Sequence, residues 1–272
     1  MFAKIKSPDF IQLVIGYALV LIALWTPERV QSNLIWIGFA WIIATTVLAR
    51  PTARELGLCP AASGRLFWLP TIALLVAAPA IWLASELHTL HGFSASMFLG
   101  ERFWVYMVWA VMQQFILQDY FLFRVLRLGA SNSVAVPIAA ILFAVAHIPN
   151  TLLALATLVW GTVACALFLR YRNLYALGLA HGILGICIAV TVPTTVQHGM
   201  RVGLGYFHHQ NRQTTRVLPQ PDGPDGVHRS MRDCGGEKSP VGSPRAAIEN
   251  TRQGGQQNIA PVEMRGAFVE MR

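Results

Sequence analysis

Gln113-Gln114-Phe115-Ile116-Leu117-Gln118-Asp119-Tyr120-Phe121-Leu122-Phe123-Arg124 places an acid and an arginine in an otherwise apolar run. The run begins near Phe103, so as a helix it has the roughly 20 residues that a bilayer crossing takes. An ionisable side chain at membrane depth costs roughly 2.5–3.5 kcal/mol on insertion scales, and chains that keep one usually use it. Two later histidines, His147 and His181, follow the apolar stretches Ile141 to Ala146 and Leu177 to Ala180. Asp119, Arg124, His147 and His181 therefore read as one site assembled from three helices.

Composition agrees with a membrane body. Of the 272 residues 54% are hydrophobic and only 12% charged, and the apolar residues fall in separated runs rather than in one diffuse core. These runs cover about Phe10 to Trp25, Leu34 to Ala49, Leu66 to Ala84, Phe103 to Phe123, Ser133 to Ile148, Thr151 to Leu169 and Leu174 to Val192. The expected architecture is all-α, a multi-pass transmembrane helical bundle of about seven spans, or eight, with a disordered C-terminal tail. The membrane body is expected at 1–208, with its core at about 103–192, and the tail at 209–272. From Gln210 onward the chain is rich in Gly, Pro, Gln and Arg without a sustained period, and it carries too little apolar surface to offset chain entropy.

The formal charge of +8 does not point to nucleic acid, because the arginines stand at the ends of apolar runs and form no basic stripe with interleaved aromatics. They act instead as a topology signal. With the amino terminus in the cytoplasm, Lys4, Lys6, Arg50, Arg54, Arg65, Arg124, Arg127, Arg170 and Arg172 share the cytoplasmic side, and only Arg29 and Arg102 oppose them before the last span. A cell (inner) membrane location follows. The first run ends in Trp25-Thr26-Pro27-Glu28 with no small-residue cleavage site, so it is expected to stay as a spanning helix. Cys59, Cys165, Cys187 and Cys234 have no C-x-x-C spacing and suggest neither a disulfide framework nor a thiolate metal site.

The site residues admit more than one chemistry. A carboxylate and an imidazole sharing a water make it nucleophilic, and a second imidazole can donate to the oxyanion of an attacked carbonyl. Asp119, His147 and His181 are equally ordinary donors for a divalent metal, although no H-E-x-x-H is present. A carrier could use them as relays. The plainest alternative is packing: Arg124 snorkelling beside Asp119, the histidines satisfied in the core, and Gln113, Gln114 and Gln118 as interhelical hydrogen-bond groups.

The sequence here resembles the CPBP family of intramembrane proteases, also called the CAAX-protease, bacteriocin-processing or Abi family, to which the Rce-type prenyl-protein endopeptidases belong. Asp119-Tyr120-Phe121-Leu122-Phe123-Arg124 occupies the family's Glu-Glu-x-x-x-Arg, Phe143-Ala144-Val145-Ala146-His147 its Phe-x-x-x-His, and His181-Gly182-Ile183-Leu184-Gly185 keeps the histidine of its His-x-x-x-Asn/Asp. Leu56-Gly57-Leu58 and the lead-in Tyr171-Arg172-Asn173-Leu174-Tyr175-Ala176 look like further family signatures. The resemblance implies an intramembrane endopeptidase acting on a membrane-associated peptide or protein substrate. Asp119 would activate the water with His147, His181 would serve the oxyanion hole, and Arg124 would orient the acid. Gln114, Tyr120 and Phe143 are assigned to substrate binding, with Gln114 a possible replacement oxyanion donor, and no cofactor is called for. Tyr120 replaces the second glutamate and Gly185 the oxyanion-hole amide, so a degenerate, non-catalytic membrane binding or immunity-type protein is the alternative.

Overall fold

The structure is a computed structural model that describes residues 8–59 and 68–217, without the side chains of 95, 99 and 211–217. Every regular element among the described residues is helical. In order they are α1 (Pro8–Leu24), α2 (Glu28–Leu48), α3 (Trp68–Glu86), the short α4 (Ala95–Leu99), α5 (Glu101–Phe115), a π-helical segment (Ile116–Leu122), α6 (Phe123–Arg127), α7 (Asn132–Val145), α8 (Thr151–Tyr171), α9 (Leu174–Thr191), α10 (Thr194–Gln197), a 3-10 turn (His198–Met200) and α11 (Gly203–Val217). Each of the seven apolar runs is a helix, and four of them (α2, α3, α8 and α9) are long and apolar enough to cross a membrane by length and composition.

The outside of the bundle is as apolar as the inside. Leu48 and Leu75 are 74% and 68% exposed, which is costly in water and neutral in lipid. The run opened by α5 passes without a break through the π-helical segment into α6, and Leu117 to Leu122 are all buried. Polar caps fix where the later helices start. Asn150 Oδ1 accepts from Leu153 N at 3.2 Å and Asn173 Oδ1 from Ala176 N at 3.0 Å, each satisfying an amide that has no partner within its own helix.

A stripe of glycines lets α9 lie close against α5. A Cβ at Gly178 would fall 2.9 Å from the Val111 Cα, and one at Gly182 2.6 Å from the Met107 Cε; Gly185 faces the Tyr106 hydroxyl. The close approach is seen along this 178/182/185 row. Gly178→Leu is expected to push the two helices apart and cost about 1–3 kcal/mol of overpacking. The melting midpoint of the purified protein would fall, and the His181 imidazole resonances would report loss of its α5 partner. An unchanged midpoint and spectrum would refute the packing role.

At one end of the bundle the 52–58 loop docks on the α8–α9 turn. Gly57, at φ 64°, accepts from Leu174 N at 3.2 Å, and Arg172 Nη1 donates to the Glu55 carbonyl at 3.1 Å. The Thr52 amide and hydroxyl both donate to the Glu55 carboxylate, holding it below the usual carboxylate range. At the other end the segment after α9 folds back over the bundle. Asn150 Nδ2 donates to the carbonyls of Gln197 and Arg201 at 2.9 and 3.2 Å, and Gly203 N to the Ile148 carbonyl at 3.0 Å. Helix α11 runs on to Val217, past the expected start of the tail at 209; the rest of that expected tail, 218–272, lies outside the described residues.

Candidate functional site

His147 stands in the turn that ends α7, and its Nδ1 lies 2.7 Å from the Phe143 carbonyl. A carbonyl only accepts, so Nδ1 carries the proton and Nε2 is left as an acceptor. His181, on α9 and 8% exposed, has its Nδ1 2.7 Å from Gln114 Nε2. An amide nitrogen only donates, so this ring is protonated on Nε2. The two imidazoles are complementary, one offering a lone pair and the other an N–H. Phe143 holds both edge-on, with ring centroids at 4.9 and 6.0 Å, and Trp160 stands 6.0 Å from His181.

Gln114 is itself positioned. It is fully buried, and its Oε1 accepts from Gln118 Nε2 at 3.3 Å, giving a relay from Gln118 through Gln114 to His181. Gln118 also reaches Cys165 on α8, and its Oε1 has no partner. Gln113, one residue earlier, borders a cavity of about 730 Å³ that His147, His181 and Phe143 also line. The cavity wall is otherwise built mainly from apolar side chains of α1, α2, α5, α8 and α9. Among the described residues it holds no aspartate or glutamate.

The acid and arginine of the opening stretch lie elsewhere. Asp119 is 2% exposed and its Oδ2 has no partner. No hydrogen bond joins it to His147 or His181 among the described residues. Arg124 does not orient Asp119. Its Nη1 pairs with Asp9 on α1 at 3.1 Å, and Asp9 also takes Arg127 Nε at 3.0 Å. The Arg124 guanidinium lies 4.6 Å from the centre of the Tyr120 ring, and the Tyr120 hydroxyl donates to the Gln12 carbonyl. Tyr120 thus packs α1 onto the bundle and is absent from the cavity wall.

The expected single cluster is therefore divided. His147, His181, Gln114 and Phe143 come together, while Arg124 and Tyr120 face other partners and Asp119 bonds to neither histidine. Gln114 precedes the π-helical segment, Asp119 and Tyr120 lie within it, and Arg124 follows it. The cavity extends to Leu24, Leu152 and Met200, toward the end opposite Arg124 and Arg172. Among the described residues no three of His, Cys, Asp and Glu gather as a metal shell would require.

Two residues in these contacts escaped the sequence reading. Asp9 has no local signal beyond being an acid at the start of an apolar run, and Arg201, on the cavity wall, follows the last span in a mixed stretch. Gln113 and Gln118 did carry a signal. Gln113-Gln114-Phe115-Ile116-Leu117-Gln118 has the six-residue spacing of Glu-Glu-x-x-x-Arg with amides at its polar positions.

No curated protein and no solved structure matches the chain. Residues 96–187 match the family described as type II CAAX prenyl endopeptidase Rce1-like. That segment runs from α4 to α9 and holds Asp119, Arg124, His147 and His181, the residues of the three motifs, in order. By this match the α4–α9 part of the chain is similar to the Rce1-like CAAX-protease family, a family of multi-pass helical membrane peptidases.

Proposed function

We propose that this chain is a non-hydrolytic member of that family, a membrane protein that binds an apolar ligand in the cavity between His147 and His181 without cutting a bond. The observation that carries this is the absence, among the described residues, of any carboxylate from the cavity wall, together with an amide, Gln114, on His181. An amide can orient an imidazole through a hydrogen bond, but it has no basic site that takes a proton from water near neutral pH. Read on Gln113 to Gln118, the first motif keeps its geometry and loses its charge.

The second reading is hydrolysis with Asp119 as base, His147 its partner, His181 at the oxyanion and Arg124 in support. The complementary imidazoles favour it, since one lone pair and one N–H are what activation of water and stabilisation of an oxyanion need. Cleavage of a fluorogenic membrane-anchored peptide by the full chain in proteoliposomes separates the two. The expected result is no turnover above protein-free vesicles, with Asp119→Asn and His147→Ala at that same level and still folded. Turnover in the unmodified chain that Asp119→Asn abolishes would replace the first reading with the second.

A further inference from the structure

The 730 Å³ cavity has the size of a small-ligand site and one feature that a purely apolar pocket would not need. Arg201 borders it, 7% exposed, with its Nε buried and unpartnered. Its Nη1 is 3.6 Å from Glu28 Oε1, beyond hydrogen-bond length, and Glu28 itself is not on the wall. Arg201 is the one lysine or arginine lining it among the described residues. The backbone that holds it is strained. His198, Gly199 and Met200 all have positive φ, at 50°, 66° and 59°, a conformation that side-chain-bearing residues adopt at a cost. Asn150 pins the turn through the carbonyls of Gln197 and Arg201.

A buried guanidinium with an unsatisfied N–H, at the end of a long apolar wall, fits a ligand with an anion at one end and a hydrocarbon chain behind it. We infer that the cavity binds a single-chain anionic amphiphile, an alkyl carboxylate of the fatty-acid class, with its headgroup on Arg201 and its chain running along the apolar wall toward His147 and His181. This rests on the reading of the cavity as a binding site and adds the chemistry of what fills it. A guanidinium offers two parallel N–H donors to a carboxylate. The walls from α1, α2 and α8, including Leu19, Ile35, Leu155 and Val159, offer the chain only apolar contact.

The test uses the full chain in nanodiscs of uncharged zwitterionic lipid and a photoreactive C16 carboxylic acid, beside its methyl ester and the matching alkylamine. The acid is expected to label cavity-wall peptides at least 10-fold more than the ester, and the amine least. Arg201→Gln should reduce acid labelling to the level of the ester. Glu28→Gln, which leaves Arg201 in place and removes a competing acceptor, should raise it, and this keeps the test informative if Arg201→Gln misfolds. Equal labelling by acid and ester, with Glu28→Gln indifferent, would overturn the inference and leave an apolar binding cavity. Failure of all three probes to label the wall would overturn the binding reading as well.

Discussion

Gln113→Glu combined with Gln114→Glu is expected to raise cleavage of a membrane-anchored reporter from background by about 10²–10⁴-fold, the usual contribution of a positioned general base. The acceptor nitrogen of His147 and the donor nitrogen of His181 belong to residues that already line one cavity, and Gln113 lines it with them. What the wall lacks, among the described residues, is a carboxylate beside the imidazoles. A carboxylate at 114 has no N–H to offer, so His181 would take a second proton on Nδ1, donating to the carboxylate while keeping its Nε2 N–H, and the carboxylate would still receive the Gln118 amide. The measurement is single-turnover hydrolysis in proteoliposomes, with the single variants and Asp119→Asn in parallel. A double variant that stays folded and remains at background would remove the physical basis of the non-hydrolytic reading, since amides in place of acids would then not be what withholds cleavage.

Asp9→Ala is expected to destabilise the chain by about 3–5 kcal/mol, the range for stripping the partner from a buried charge. Arg124 is fully buried, and its Nε and Nη2 already lack partners, so Asp9 is the one carboxylate it touches. The loss should appear as a lower midpoint in chemical or thermal unfolding of the detergent-solubilised protein. It should also appear as detachment of α1, which Tyr120 and Gln12 otherwise help to hold. Asp9→Leu with Arg124→Met should recover most of it, because an apolar pair of similar size needs no desolvated charge. If the double variant were no better than the single one, or Asp9→Ala left the midpoint unchanged, the pair would not be what secures α1.

The sequence by itself determined the class of molecule, its helices and the family it resembles. Run length and the absence of charge are local properties, and a bilayer reads them directly, so each of the seven runs is a helix near its expected bounds. His147 and His181 were legible for the same reason, as costly polar groups in apolar surroundings. The partners of those groups were decided only by the tertiary structure. Asp119 and Gln114 are five residues apart on one continuous helical run, and which of them meets His181 depends on how α9 packs against α5 along the glycine row. Arg124 found Asp9, more than a hundred positions earlier in the chain, because ion pairs are set by which helices pack together. Spacing along the chain constrains neighbours on one helix and is silent about contacts between helices, so the polar residues announced a site while its membership waited on packing.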